Sequence, residues 1–204
     1  MVDREVKRVP WWALLSSALA PVLLIGGWTL AAARQPAGYS SVTQTISSLA
    51  ALGATDRWLM TAALTGVGLA HLVTALGLRP AATAGRLVLA VGGIATLLVA
   101  AFPLPRVGGS GRHTLAAAVA FGALALWPAL AWRARSPAAA LRPTVSIVAA
   151  AVLLGLVIWF AAELHSGTCV GLAERVAAGA QAGWPLVAVL SVVVSARRGG
   201  GRPT

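Results

Sequence analysis

The chain has 204 residues, of which 58% are hydrophobic and only 10% charged, with 16 Lys and Arg against 5 Asp and Glu. Soluble domains carry about 25% charged residues, so this composition excludes an ordinary soluble fold. The net charge of +11 does not point to nucleic acid, because the Arg residues sit in short segments between apolar runs and form no stripe.

Six apolar runs take up most of the chain: Trp11–Ala33, Trp58–Leu78, Leu87–Pro105, Thr114–Trp132, Val145–Ala162 and Val176–Ala196. Each approaches the ~20 residues a helix needs to cross a ~30 Å hydrocarbon core. Inside that core no water satisfies the backbone, which selects helix. The expected fold is therefore all-α: a polytopic transmembrane bundle of six helices, with a short amphipathic helix in the first outer loop. Residues 1–10 and 197–204 read as cytoplasmic tails around a transmembrane domain at 11–196.

The first run follows a basic N-terminus and ends in Ala31-Ala32-Ala33, as a signal peptide does. Its apolar length exceeds the usual ~7–15 residues of such a peptide, so it reads as an uncleaved span. Pro21 should kink it. The loop from Arg34 to Arg57 follows. Ser41-x-x-Gln44 there has the form of a capping box, and Val42, Ile46 and Leu49 share one helical face. Gly53 is a natural stop. This segment reads as a short helix lying at the outer interface or dipping back into the bundle.

The second run contains His71, placed deep, where polar groups usually face the protein interior. A helix-to-helix hydrogen bond is its plainest role. Gly26-Gly27, Gly66, Gly68, Gly92-Gly93 and the Gly179/Gly183 pair mark expected close helix contacts. Trp127-Pro128 and Trp184-Pro185 mark kinks, while Trp11, Trp12, Trp28, Trp58, Trp132 and Trp159 fall at span ends, as an aromatic belt does.

Eleven Lys and Arg residues fall on the side of the two termini and five on the other, which puts both termini in the cytoplasm. The outer side then holds Asp56, Arg112, His113, Glu163, His165, Glu174 and Arg175. Glu163 and His165, two residues apart, are the candidate catalytic acid and base. Arg112, His113, Asp56, Arg175, Gln44 and Ser47 are the candidate ligand-binding residues. Glu174 has a structural explanation in the dipole of the sixth helix. Convergence of the outer groups under the segment from Ser40 to Leu52 is the expectation. No HExxH, GxSxG or P-loop pattern occurs, and no metal or cofactor is expected. The lone Cys169 reads as an unpaired small residue.

Several of these short motifs occur together in one known family. They are Tyr39-Ser-Ser-Val-Thr-Gln-Thr-Ile-Ser47-Ser48-Leu-Ala in the first outer loop, Phe102-Pro103 ending the third run, His113 opening the fourth, and Gly171-Leu-Ala-Glu174-Arg175 opening the sixth. With the six-span layout, the chain resembles the bacterial and archaeal membrane proteins of the domain of unknown function 998 family. The resemblance spans nearly the whole chain. It implies a six-helix integral membrane protein and brings no established activity. An acid expected after the first motif's serine is absent, since Ser48 is followed by Leu49.

Two functional classes follow. One is a non-catalytic membrane component, carrier-like, sensor or accessory, with a polar site on the outer side. The other is a small membrane enzyme acting on a lipid or apolar substrate at the outer leaflet. Its acid–base pair would be Glu163 and His165, with Arg112 or Arg175 on an anionic headgroup. Membrane lipids and a lipid-like or apolar small molecule are the expected partners, and nucleic acid is not.

Overall fold

The computed structural model describes residues 9–200. The expected basic tail residues Arg4, Lys7, Arg8 and Arg202 lie outside them. Among the described residues seven α-helices follow one another: α1 (Trp11–Ala32), α2 (Ile46–Leu49), α3 (Trp58–Gly77), α4 (Thr83–Ala101), α5 (Gly111–Ala131), α6 (Pro143–Ser166) and α7 (Val170–Gly200), with a 3-10 turn at Ala139–Leu141. Six of them are long and apolar enough to cross a membrane. No strand occurs among the described residues. The molecule is a multi-pass membrane protein.

Consecutive long helices are neighbours, and α7 returns to α1, so the six spans form a closed ring. Helix α7 also touches α2, α3 and α5, which places it partly inside the ring. Helix α6 is the most peripheral. Only 22% of its apolar window is buried, and its mean hydropathy of 2.6 is the highest of the six. The pairing is physical: the helix with most surface against lipid tolerates least polarity.

Helix ends differ from the hydropathy reading where backbone chemistry decides. Helix α4 stops at Ala101, and Phe102 precedes a proline that disfavours helical backbone before it. The largest difference is at α7, which starts six residues before the expected span and carries Glu174 and Arg175 inside the helix. It also continues past Ala196 to Gly200. The short α2 is capped by Thr45, whose side chain accepts from the Ser48 amide, and not by Ser41. Of the proposed apolar face, Ile46 and Leu49 are buried while Val42 is exposed. So α2 dips into the bundle.

Two apolar clusters fill the ring. The outer one joins Leu24, Met60, Leu64, Val99 and Ala182 to Ile46, Leu49 and Ala50 of the cap. The inner one gathers Leu78, Leu89, Trp127, Leu141 and Val189. Inner arginines stitch helix ends: Arg86 donates to the carbonyls of Ala75 and Leu76, and Arg133 to those of Pro80 and Ala81. Ala75 and Leu76 belong to the last turn of α3, whose carbonyls a helix C-terminus leaves unpaired and where positive charge suits the dipole, while Pro80 and Ala81 lie in the loop that leads to α4.

Glycine permits a close backbone crossing between α3 and α4. A Cβ on Gly68 would meet the Gly93 carbonyl oxygen at 2.8 Å, and the reverse holds for Gly93 on Gly68. The Gly179/Gly183 pair does not work this way. A Cβ on Gly183 would meet nothing within 4 Å, and one on Gly179 would reach only Trp28 at an ordinary 3.5 Å. Gly68→Ala should therefore lower thermal stability by ~1–3 kcal/mol through overpacking. Gly183→Ala should leave it unchanged. Thermal unfolding of the purified protein in detergent separates the two, and equal effects would show that the α3–α4 approach is not under tension.

A buried latch and a chamber on the outer side

The outer loop is held down by two charged residues of α7. Arg175, 9% exposed, donates through Nη1 to the carbonyls of Ser41 (2.8 Å), Gln44 (2.8 Å) and Gly171 (2.9 Å), and through Nη2 to the Tyr39 hydroxyl (2.6 Å). A buried guanidinium needs such partners, because an unpaired charge in low dielectric is costly. Its neighbour Glu174, 4% exposed, accepts the Ile46 amide on one oxygen and the Ser47 hydroxyl (3.3 Å) on the other. The Leu172 amide adds a bond to the Val42 carbonyl (3.0 Å). Gly171 lets the loop come this close, since a Cβ there would lie 2.7 Å from the Ser41 carbonyl oxygen.

A third strut comes from α5. Ser110 caps that helix by accepting the His113 amide, which aims the His113 ring inward. The ring Nδ1 lies 2.8 Å from the Phe102 carbonyl and Nε2 lies 3.1 Å from the Ser47 hydroxyl. A carbonyl only accepts, so Nδ1 carries a proton. Ser47 has one proton to give. If it goes to Glu174, His113 donates at both nitrogens and is an imidazolium. If it goes to His113, the 3.3 Å contact is filled by a proton on Glu174. The two arrangements contain the same protons and differ only in whether His113 or Glu174 holds one of them.

Beneath this latch lies a chamber of ≈ 60 Å³. Its outer end is formed by Ser47 and Glu174, its walls are mostly apolar, and Thr96, Gln181 and His71 are its other polar side chains. Gln181 donates to the Phe121 carbonyl (2.9 Å) and Thr96 to that of Gly92 (2.8 Å). His71 is fully buried, and neither ring nitrogen has a hydrogen-bond partner among the described residues. The expected helix-to-helix hydrogen bond is made instead one turn further in, between Thr74 and Ser16 (2.8 Å).

The candidate residues separate into two groups. His113, Ser47, Arg175 and Gln44 come together, joined by Glu174 and Tyr39; Gln44 contributes through its backbone carbonyl. Glu163, His165, Arg112 and Asp56 stand apart from them. Glu163 accepts the Thr168 hydroxyl and the Cys169 amide (both 2.9 Å), tying the end of α6 to the start of α7. His165 is exposed, with Nδ1 3.1 Å from the Ala161 carbonyl. Asp56 faces Arg34 at 3.6 Å, an exposed pair of little energetic weight. Arg112 points outward, one residue before the inward-facing His113. Glu174 and Tyr39 were not among the candidates. The signal for Glu174 lay in Gly171-Leu-Ala-Glu174-Arg175, where a glycine precedes two adjacent charges within reach of an apolar run, and that for Tyr39 in its place at the head of the first-loop motif.

Fold and site together define a multi-pass membrane protein with a latched chamber at the end of the bundle opposite the termini. The chain matches the family model described as "Protein of unknown function (DUF998)" over residues 18–191, and it belongs to that family. Comparison with curated proteins and with solved structures gives no match.

The latch predicts its own sensitivity. Tyr39→Phe removes one partner of a buried guanidinium and should cost ~1–3 kcal/mol. Gly171→Ala should lift the loop and expose residues 39–52 to protease. His165→Ala, on an exposed ring, should stay within ~0.5 kcal/mol of the parent. Thermal unfolding and limited proteolysis check all three, and an unaffected Gly171→Ala protein would mean that the loop does not seat as described.

Proposed function

We propose that this protein is a non-catalytic component of the plasma membrane, carrier-like or a sensor, that engages a lipid-like molecule at the outer leaflet. The observation that carries this reading is a groove of ≈ 330 Å³ between α4 and α5, walled by Val91, Ile94, Leu98, Leu115 and Val119, with Arg112 at its outer end. All five wall residues are exposed within membrane spans, so the groove faces lipid. Its volume falls at the lower end of the ~300–1,000 Å³ usual for small-molecule sites. An apolar trough suits an acyl chain, and a guanidinium at its mouth suits an anionic headgroup. Arg112 is adjacent in sequence to His113, so a headgroup held there sits beside the latch.

One contact favours the second reading, a small membrane enzyme acting on a lipid at the outer leaflet. Ser47 Oγ lies 3.1 Å from His113 Nε2, with the Phe102 carbonyl behind Nδ1. Nucleophile, base and orienting group stand in that order in acyl-transfer sites. Against it, the Ser47 hydroxyl is shared with Glu174, and Glu174 also takes the Ile46 amide that a developing oxyanion would need.

Native mass spectrometry of the protein from mixed vesicles tests the first reading. Anionic phospholipid should be retained over zwitterionic lipid, and Arg112→Gln should reduce that preference about tenfold to a hundredfold, the range of a charge-assisted hydrogen bond. Equal retention by both proteins would remove the headgroup role. Stoichiometric labelling of Ser47 by a fluorophosphonate would replace the first reading with the second.

The orientation proposed is cytoplasmic termini and an outward latch, from the eleven-to-five asymmetry of basic residues. Cys169 reports it. Partial burial, and then the neighbouring Glu163 carboxylate, push the Cys169 thiol above its ordinary value. Thiolate is the reactive form, so an impermeant maleimide should label Cys169 in intact cells slowly at neutral pH and faster as pH rises. Glu163→Gln removes the negative neighbour, lowers the thiol value and should speed labelling. Labelling only after the cells are opened would invert the topology.

A further inference from the structure

We infer that the chamber beneath the latch is a hydrated pocket that delivers protons from the outer face to His71, about two-thirds of the way along α3, and no further. His71 lies ~20 Å along α3 from its outer end and Glu174 ~6 Å along α7, at a rise of ~1.5 Å per residue. Between these levels the chamber's ≈ 60 Å³ gives room for about four water molecules at ~15 Å³ each.

Water is held only where it finds polar partners, and the chamber supplies them along its length. Ser47 and Glu174 stand at the outer end, Thr96 on α4, Gln181 on α7 and His71 at depth. Gln181 and Thr96 each donate to a backbone carbonyl, which leaves their oxygens able to accept. The two unpartnered nitrogens of His71 make one donor and one acceptor in the neutral ring, and water satisfies both. A fully buried polar ring without a protein partner in a native fold calls for such an explanation.

The proton source is the latch. His113, Ser47 and Glu174 hold one proton in either of two arrangements. When it sits on Glu174 it is at the chamber's outer end. Transfer breaks the Glu174 O–H bond and forms an N–H bond on His71, with the intervening waters relaying the charge. The set is refilled from outer water at the half-buried Ser47. Helices α1, α3, α4, α5 and α7 and the short α2 all line the chamber, and Glu174 is the one other ionisable side chain lining it with His71 among the described residues. A protonated His71 thus faces a single carboxylate and no competing cation. Inward of His71 the next polar pair, Ser16 and Thr74, is closed on itself by a hydrogen bond, and the bundle then packs on Leu78, Leu89, Trp127, Leu141 and Val189.

Protein labelled with nitrogen-15 histidine in lipid nanodiscs tests this directly. The His71 resonances are those missing from a His71→Asn protein. In the parent, the His71 ring N–H should exchange into heavy water within minutes. As pH falls from about 8 to about 3, the ring should pass from a neutral to an imidazolium pattern. Ala120→Leu, which fills the chamber, should slow exchange at least about tenfold. Protection of the parent's His71 N–H for hours would show a dry chamber and overturn the inference. Rapid exchange without an imidazolium pattern would overturn the proton role. In vesicles carrying an internal pH dye, the protein should add no sustained proton leak, and a leak would overturn the dead end. None of these readouts involves Arg112 or lipid, so the lipid reading stands or falls separately.

Discussion

The outer half of this bundle depends on one demand: a guanidinium and a carboxylate, adjacent in sequence, are carried into the membrane on α7 and must be satisfied there. Arg175 meets that demand with three backbone carbonyls and one phenol, and Glu174 with an amide and a hydroxyl. Nearly all of these partners belong to the loop before α3. The loop's path is therefore set by the charges it neutralises. Its own helix is a single turn, too short to persist alone. Buried ion pairs are weak evidence of stability, but they are strict about geometry. Here the strictness is spent on positioning a cap over the chamber.

The two halves of the bundle solve the backbone problem differently. At the end of the bundle that carries the termini, arginines reach carbonyls of the α3 end and of the loop after it, and no charged side chain is buried among the described residues. At the other end, the charges are inside and the surface loop folds down to them. This asymmetry gives the molecule one end with its charges at the surface and one latched end with its charges buried. The fold thereby provides what either proposed activity needs, a face at which a polar group from lipid or water can be read.

Much of the fold was legible because hydropathy and length speak directly to a bilayer. The six spans and the deep placement of His71 follow from apolar runs and their interruptions, while the same signal left the first outer loop open between lying at the interface and dipping into the bundle. The site was only half legible, for a reason built into the same signal. A hydropathy reading ends each span at the first charge, so it placed Glu174 and Arg175 outside the sixth span, where a helix dipole seemed enough to explain the acid. In the structure the helix begins earlier, at Val170, and both residues are buried. Glu163 and His165 attracted attention as a close acid–base pair. Yet one ties a helix junction and the other is exposed, which no spacing distinguishes from a site. The motifs that carried the family resemblance fared better: Tyr39, Ser47, Phe102, His113, Gly171, Glu174 and Arg175 all meet at the latch.

The latch also fixes an order of events during synthesis. The hydrogen bonds of Glu174 and Arg175 to the first outer loop join residues 127 to 136 positions apart, linking that loop to the last helix. At ~5–20 residues per second, the ribosome delivers Arg175 on the order of ten seconds after Ser41. Throughout that interval the loop's carbonyls and the Tyr39 hydroxyl have only water as partner, and the ring of helices stays open at the α1–α7 seam. The final helix is thus the closing piece of the assembly. A chain truncated before it would leave five inserted spans around an unroofed, wettable interior, the kind of half-built product that membrane quality control is equipped to find.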